Sequence, residues 1–341
     1  MEKIFDRNTL MGEIRNYPEF QLLKKHMNIE GKDEETLTEM GAHVSPAWNA
    51  DSMAYGLDAL AYYQKTKGNI LYHFYTEEEQ KADKTKEDTA IFRFSVDKKA
   101  PFAIVIAGGG YMGVCSIVEA FPVARKLNEM GIHAFILDYR AGTDCAAKKS
   151  EEDLHRAIQY IFENKKEFRI EDSYMVIGFS AGGHLTAELG TDNRGYQTAG
   201  LPKPDVLCLS YALLNFSSKE GLDETKICGA MFGRGKSPEY YAEMKQEFSP
   251  IYHVSETFPS AFIWQTTDDE LIPYEENAPK MKAKLEEKGV PVRLKTVPHG
   301  PHGLGLGTGS EAEGWLEEAV AFWKEQKGIR YGKLDVVSWR F

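Results

Sequence analysis

The sequence predicts an α/β fold: a mostly parallel, twisted sheet with helices on both faces, preceded by a largely helical N-terminal extension. Three observations support this prediction. After Pro101, apolar strand segments alternate with helical segments, which is typical of a parallel sheet covered on both faces. A Gly-x-Ser-x-Gly sequence over Gly178–Gly182 lies between a strand and a helix. Carboxylates and histidines follow two later strands, at the sheet edge where reactive groups of such folds collect.

The N-terminal part of the chain has a different pattern. Residues 1–65 place apolar residues at helical spacing, so we expect a helical extension that packs on a main domain over 66–328. Asn69–Tyr75 and Thr89–Ser95 are rich in aromatic and β-branched residues and are expected to pair as a hairpin. The charged segment 76–88 between them is expected to be a solvated turn.

The main domain is predicted to alternate regularly between strands and helices. The predicted strands are Phe102–Ala107, His133–Tyr139, Ser173–Ile177, Asp205–Tyr211, Ser260–Thr266 and Val292–Val297. The predicted helices are Val114–Met130, with a break near Pro122, then Glu151–Phe168, Glu276–Lys288 and Glu311–Gln326. Residues 219–248, between two strands, are expected to form a small lid. Residues 329–341 are expected to form a C-terminal tail.

Composition excludes several classes of function. The 341 residues are 42% hydrophobic, which suits one large domain with decorations or two small domains, and the net charge of −11 argues against a nucleic-acid partner. No apolar run approaches membrane-spanning length, and the first residues lack the apolar core of a signal peptide, so we expect a cytoplasmic protein without a membrane partner. Four scattered cysteines without a Cys-x-x-Cys pair predict free thiols, and we expect neither a metal site nor a cofactor.

The serine turn has two interpretations. A serine at the tip of a sharp strand-to-helix turn is a candidate nucleophile, because the helix N-terminus directs backbone N–H groups at an oxyanion formed beside it. Glycines two positions before and after Ser180 would leave room for the close crossing of strand and helix. The alternative is an ordinary tight turn in which Ser180 caps the helix.

The glycine-rich segment Gly108–Gly113 also has two interpretations. It fits Gly-x-Gly-x-x-Gly after a strand, and Asp138 ends the next strand, where a dinucleotide-binding fold places its ribose-binding acid. The alternative is a loop whose N–H groups bind an oxyanion. An acyl-transfer site needs in addition a nucleophile, an acid and a histidine after later strands, and a cofactor fold needs none of them.

The required acid and histidine are present. Asp268 and Asp269 follow one strand, and His299 and His302 follow the last strand. The order Ser, Asp, His along the chain is the triad order of one particular fold. A serine hydroxyl becomes a useful nucleophile when an imidazole accepts its proton, and the imidazole needs a carboxylate to fix its tautomer.

Several of these segments together resemble one family. They are Ala107–Tyr111, Asp138–Arg140 with Asp153–Ile158, Gly178–His184, Phe248–Pro250, Asp268–Pro273 and His302–Leu304. Over roughly residues 90–328 the chain resembles α/β-hydrolase esterases of the acetyl-xylan-esterase and hormone-sensitive-lipase-like kind. It departs from the family pattern at Ala107, where His or Pro is common, and at Ala212, where Pro is common. The resemblance implies an α/β-hydrolase fold.

The resemblance also implies roles for individual residues. Ser180 would be the nucleophile, His302 the base rather than His299, and Asp269 the acid rather than Asp268. The backbone N–H groups of Gly109, Gly110 and Ala181 would form the oxyanion hole. Candidate substrate contacts are Tyr111, Trp48 and His299, although Tyr111 and Trp48 also suit packing in the core. His184 is expected to be a buried structural histidine.

The implied activity is a serine carboxylesterase that removes acetyl groups from xylo-oligosaccharides or similar sugars. Two alternatives share the fold: an amidase of the aryl-formamidase type, and a hydrolase fold kept as a non-catalytic binding module. The expected partner is a small ester or acetylated oligosaccharide, with a second copy of the chain as a candidate partner.

Overall fold

One eight-stranded sheet organises residues 1–216 and 224–328, the part of the chain described by the structure, a computed structural model. Its strands are β1 (Leu71–Tyr72), β2 (Ala90–Phe94), β3 (Ala100–Ile106), β4 (His133–Asp138), β5 (Ile170–Phe179), β6 (Val206–Ser210), β7 (Ser260–Thr266) and β8 (Val292–Val297). Their order is β1-β2-β4-β3-β5-β6-β7-β8. Pairing is antiparallel for β1 with β2 and for β2 with β4, and parallel for the other neighbours. The predicted mostly parallel sheet is therefore confirmed.

Helices cover this sheet and form most of the N-terminal segment. They are α1 (Met11–Arg15), α2 (Lys24–Met27), α3 (Leu37–Val44), α4 (Ala50–Lys67), α5 (Glu77–Ala82), α6 (Ser116–Glu119), α7 (Phe121–Glu129), α8 (Ala146–Glu163), α9 (Lys165–Phe168), α10 (Ser180–Glu188), α11 (Glu224–Phe232), α12 (Pro238–Glu247), α13 (Ala278–Glu287) and α14 (Trp315–Gln326). The predicted break near Pro122 falls between α6 and α7.

The core lies on both faces of the central strands. Every residue of β4 and β6 is buried, as expected for parallel strands covered by helices on each side. At the carboxyl ends of β3, β5, β7 and β8 the chain leaves the sheet into the loops that carry the candidate site residues.

The N-terminal extension packs closely on the main domain. Helix α4 crosses α7 so closely that a Cβ on Gly56 would lie 2.7 Å from the backbone nitrogen of Pro122. Imidazole Nδ1 of His26 lies 2.7 Å from Oδ2 of Asp138, at the end of β4. The side chain of Asn49, which caps α4, donates a 3.2 Å hydrogen bond to the carbonyl of Thr308. The domain division at residue 65 stays a prediction.

The predicted hairpin differs from the structure in two respects. The first strand is confined to Leu71–Tyr72, and Tyr75, three residues further on, donates a 2.7 Å hydrogen bond to buried Asp153. The segment 76–88 is solvated as predicted, but it is not a turn, since it contains α5 and a 3-10 helix over Lys84–Asp88. A reciprocal capping box of Thr76 and Glu79 starts α5.

The predicted lid is described by the structure in part, and the predicted tail is not described. The predicted lid, 219–248, includes α11 and α12, while 219–223 lie outside the described residues. The predicted tail, 329–341, lies wholly outside them. Across the described chain, no helix is both long enough and apolar enough to span a membrane.

Candidate active site

Ser180 occupies a strained turn between β5 and α10. Its φ of +50° is left-handed, a conformation that costs a non-glycine residue energy and that accumulates at functional sites. A Cβ on Gly178 would collide with the carbonyl oxygen of Gly182, and a Cβ on Gly182 with that of Ile106. Close crossing of strand and helix thus requires both glycines, as the spacing predicted.

His302 and Asp269 lie in line with this serine. Imidazole Nε2 of His302 is 2.8 Å from Oγ of Ser180, and Nδ1 is 2.9 Å from Oδ2 of Asp269. A carboxylate only accepts hydrogen bonds, so Nδ1 carries the proton and Nε2 of the neutral ring presents its lone pair to the serine hydroxyl. This tautomer is the one that can remove the hydroxyl proton.

Asp269 is held firmly in this orientation. Its side chain is fully buried, and Oδ1 accepts hydrogen bonds from the backbone N–H groups of Leu271 at 3.0 Å and Ile272 at 2.8 Å. The side-chain amide of Gln265 donates to Oδ2 at 3.3 Å. These donors stabilise the ionised carboxylate and leave Oδ2 facing the imidazole.

The glycine loop after β3 forms the opposite wall. Gly109 and Gly110 have φ values of +130° and +61°, and a Cβ on Gly109 would collide with the carbonyl of Gly113. Both glycines line the cavity in front of Ser180, as does Ala181 in the first turn of α10. Among the described residues, no acceptor bonds the N–H groups of Gly109 or Gly110, and the first-turn N–H of Ala181 lacks a helical partner.

A cavity of about 510 Å³ opens in front of the serine. The extension supplies Val44, Ser45 and Trp48 to its wall, and α11 supplies Lys226 and Ile227. Segments that are distant in the sequence therefore line one cavity, and its volume is in the range of small-molecule binding sites.

The three candidate substrate contacts occupy different environments. Trp48 is half-buried and lines the cavity. Tyr111 also borders it, but its ring is buried and its hydroxyl lies 2.6 Å from Nδ1 of His184. His299 is not among the described residues that line the cavity; its side chain is 76% exposed and pairs with Asp268 at 3.2 Å. The structure thus places Trp48 and Tyr111 at the site and leaves His299 outside it.

Comparison with known proteins identifies the family. The BD-FAE family model matches residues 93–285, more than half of the chain. The chain belongs to the BD-FAE family. This membership agrees with the resemblance that the motifs indicated.

Two curated relatives of this BD-FAE member carry carbohydrate-related names. Endo-1,4-beta-xylanase B of Butyrivibrio fibrisolvens is 30% identical over 229 residues, 64% of this chain and 35% of that protein. The acetylxylan esterase of Xylanibacter ruminicola is 25% identical over 235 residues, 68% of this chain and 46% of that protein. The chain therefore aligns with only a third to a half of these relatives.

Solved structures support the fold. The acetyl ester-xyloside bifunctional hydrolase of Caldicellulosiruptor lactoaceticus is 29% identical with a TM-score of 0.59, covering 71% of this chain and 89% of that one. The α/β-hydrolase MGS-M1 from a deep-sea metagenome of the Medee basin is 22% identical with a TM-score of 0.54, covering 70% and 92%. The predicted α/β-hydrolase fold is confirmed.

Asp138 does not have the role that a dinucleotide-binding fold would give it. This carboxyl is buried at the end of β4 and hydrogen-bonds His26 of the extension at 2.7 Å. Burial raises the pKa of Asp138 to about 6, although the hydrogen bond to His26 opposes the shift. The acid that would bind a ribose thus lies under the extension, which disfavours the dinucleotide interpretation of the glycine loop.

Sequence reasoning missed three polar residues of the site. Glu270 lines the cavity and its Oε2 accepts a 3.3 Å hydrogen bond from the backbone N–H of His302. Tyr211 places its ring against His302, with 4.9 Å between ring centroids. Glu119 borders the cavity although it is only 4% exposed. The available signal for Glu119 was a lone charge within an otherwise apolar helical stretch.

Proposed function

We propose that this BD-FAE member is a carboxylic ester hydrolase that works through a Ser-His-Asp triad and an acyl-enzyme. The observation that carries the proposal is the continuous hydrogen-bonded line from Ser180 through His302 to Asp269, at 2.8 and 2.9 Å. Esterase names among the relatives support the same reaction class. The aligned part is shorter than those relatives, so the activity of this chain rests on its own geometry.

The first half-reaction forms the acyl-enzyme. Oγ of Ser180 attacks the ester carbonyl carbon while Nε2 of His302 takes the hydroxyl proton. Asp269 stabilises the imidazolium that results. Collapse of the tetrahedral intermediate breaks the bond to the alcohol oxygen, which receives the proton from His302.

The second half-reaction releases the acid. Water enters the vacated alcohol position and gives one proton to Nε2 of His302 as its oxygen attacks the acyl carbon. Collapse of the second intermediate returns the proton to Oγ of Ser180 and frees the carboxylic acid.

The backbone N–H groups of Gly109, Gly110 and Ala181 are proposed to bind the oxyanion of both intermediates. They border the same cavity as Ser180, and the two glycines carry no side chain that could cover their N–H groups. One such donor typically contributes about 3–4 kcal/mol to the transition state.

An acetylated xylo-oligosaccharide or a similar sugar is the proposed substrate. The relatives named as an acetylxylan esterase and an acetyl ester-xyloside hydrolase support this class. In this chain, Trp48 lines the cavity wall, and sugar rings commonly pack on aromatic side chains. Tyr111 is assigned to shaping the acyl end of the cavity, because its hydroxyl already bonds His184.

The test is hydrolysis of a panel of p-nitrophenyl acyl esters and acetylated xylo-oligosaccharides by wild type, Ser180→Ala and a control, Ser255→Ala. Ser255 bonds Thr257 and is not among the described cavity residues. We expect Ser180→Ala to lose at least about a thousandfold in kcat, and Ser255→Ala to match wild type. Full activity of Ser180→Ala would exclude the mechanism. Faster turnover of an aryl formamide than of any ester would favour the amidase.

Three further expectations remain predictions with simple measurements. Cell fractionation tests the cytoplasmic location, which agrees with four cysteines that form no disulfide. Light scattering tests whether two copies associate. Binding of acetylated oligosaccharide without turnover would support the non-catalytic module.

A further inference from the structure

Glu119 is a buried carboxyl beside the proposed catalytic serine. It ends α6, and its carboxylate contacts the backbone of the glycine loop. Oε2 accepts a 2.5 Å hydrogen bond from the backbone N–H of Gly108, the residue before the two proposed oxyanion donors. A Cβ on Gly108 would lie 3.2 Å from that Oε2 and 2.8 Å from Cβ of Ser180. The carboxyl therefore lies directly behind the nucleophile turn.

The other oxygen of Glu119 leads to the histidine loop. Oε1 lies 2.7 Å from the hydroxyl of Tyr211, and the same hydroxyl oxygen lies 3.0 Å from the backbone nitrogen of Gly305. The N–H of Gly305 can only donate, so the tyrosine oxygen accepts there and its proton points to Glu119. Gly305 is three residues after His302, and the tyrosine ring packs edge-on against that imidazole.

The directions of these bonds match an ionised Glu119. Both of its oxygens accept hydrogen bonds from groups that must donate, an arrangement that suits an ionised carboxylate. Burial raises the pKa of Glu119 above its ordinary value, and the bonds from Gly108 and Tyr211 and the charge of protonated His302 offset only part of that shift. His302 thus faces Asp269, Glu270 and Glu119 as its acidic neighbours.

We propose that Glu119 is a positioning residue for the ester hydrolysis proposed above, on which this inference rests. Its carboxylate joins the oxyanion loop to the histidine loop through Gly108, Tyr211 and Gly305. Oxyanion donors and imidazole are thereby kept at a fixed separation from Ser180. Its negative charge also stabilises the imidazolium that forms when His302 takes the serine proton.

Two substitutions distinguish the effect of the hydrogen-bonded link between the two loops from the effect of the negative charge of Glu119. Glu119→Gln keeps the size of the side chain but removes the charge and one acceptor. Tyr211→Phe keeps the ring against His302 and the charge of Glu119, but removes the hydroxyl that reaches Gly305. Glu188→Gln is the matched control, because Glu188 is also a buried glutamate but pairs with Arg194 and is not among the described cavity residues.

The measurements are kcat, KM and the pH profile of kcat/KM with p-nitrophenyl acetate. Each variant is normalised to the fraction of molecules that react with a serine-directed phosphonate. We expect kcat to fall about tenfold in Glu119→Gln and in Tyr211→Phe, which corresponds to about 1.4 kcal/mol, with KM changed less than about threefold. The acidic limb of the profile should move to lower pH in Glu119→Gln only, since an imidazolium loses a neighbouring charge only there. Glu188→Gln should retain the wild-type kcat and profile.

The outcomes distinguish this inference from the proposed function. An active wild type with unchanged kcat and profile in Glu119→Gln, or a Tyr211→Phe variant equal to wild type, overturns the positioning role and leaves the esterase intact. The loss of activity in Glu119→Gln could also be accounted for fully by a smaller fraction of phosphonate-reactive molecules. That result overturns the positioning role, since it shows that the substitution affects folding alone. A wild type inert to both ester and phosphonate overturns the proposed function and this inference together.

Discussion

Imidazole Nε2 of His302 lies 2.8 Å from the hydroxyl oxygen of Ser180, although 122 positions separate the two residues in the chain. Their strands, β8 and β5, are three places apart in the sheet, which is about 14 Å at the usual strand spacing. The histidine loop must therefore reach back across β7 and β6. Gly305 holds the histidine loop in this position. The N–H of Gly305 donates to the hydroxyl of Tyr211, and its carbonyl accepts a 3.0 Å hydrogen bond from the indole of Trp315.

Asp269→Asn is expected to lower kcat about a thousandfold or more. The N–H groups of Leu271 and Ile272 would select the amide oxygen at the Oδ1 position and leave the amide NH₂ facing Nδ1 of His302. The imidazole would then have to accept at Nδ1 and carry its proton on Nε2, which cannot remove a proton from Ser180. Steady-state kinetics with p-nitrophenyl acetate provides the measurement.

Asp268→Asn is the matched control for that substitution. Asp268 precedes Asp269, but its side chain is 53% exposed and pairs with His299 outside the cavity. We expect kcat within about twofold of wild type, since exposed ion pairs contribute little. A large loss of kcat in Asp268→Asn, together with an active Asp269→Asn, would show that Asp268 and not Asp269 is the acid of the triad.

The scaffold was predictable from the sequence because its signals are local. Apolar runs marked the strands, and the order of Ser180, Asp269 and His302 placed three groups at one sheet edge. Glu119 was not predictable in the same way, since its partner Tyr211 lies 92 positions away and only the fold brings them together. His26 hydrogen-bonds Asp138 although 112 positions separate them, and local sequence patterns cannot reveal this long-range contact either.

Gly182→Ala is expected to destabilise the fold by about 3 kcal/mol or more, because overpacking at backbone contacts forces the strand and helix apart. The new Cβ would collide with the backbone of Ile106 and Ala107 in the neighbouring strand and loop. Urea unfolding followed by circular dichroism measures the effect. Gly229→Ala in α11 is the control, since among the described residues its new Cβ would approach only the flexible side chain of Arg234, at 3.3 Å. Equal stability of the two variants would contradict the close crossing.

Trp48→Ala is expected to lower kcat/KM for acetylated xylo-oligosaccharides by roughly fivefold to tenfold, the usual range for loss of an aromatic contact. Hydrolysis of p-nitrophenyl acetate should change less than about twofold, because Trp48 lines the cavity wall and bonds no member of the proposed triad. Trp48→Phe, which keeps an aromatic face, should lie between the two. Equal losses on both substrates would instead assign Trp48 to support of the histidine loop beside Gly303.

His184 is expected to make the folded protein less stable in mild acid. Its Nε2 lies 2.6 Å from the carbonyl of Phe248 and must donate, and Nδ1 of a neutral ring accepts from the hydroxyl of Tyr111 at 2.6 Å. Burial lowers the pKa of His184 to about 4. In the unfolded chain this histidine takes up its proton near its ordinary pKa of about 6.5. Between those two pH values only the unfolded state binds the proton, so the free energy of unfolding falls as pH decreases.

Titration of His184 is expected to lower the free energy of unfolding by about 2–3 kcal/mol between pH 7.5 and pH 4.5. Urea titrations at both pH values measure it in wild type, His184→Gln and His43→Gln. Glutamine can donate to Phe248 and accept from Tyr111 without titrating. Between the two pH values, the free energy of unfolding of His184→Gln should therefore fall about 2–3 kcal/mol less than that of wild type. This difference does not depend on the stability of the variant at pH 7.5. His43→Gln should behave as wild type, since the side chain of His43 is 70% exposed. An equal acid-induced loss in wild type and His184→Gln would show that His184 does not stay neutral in the fold.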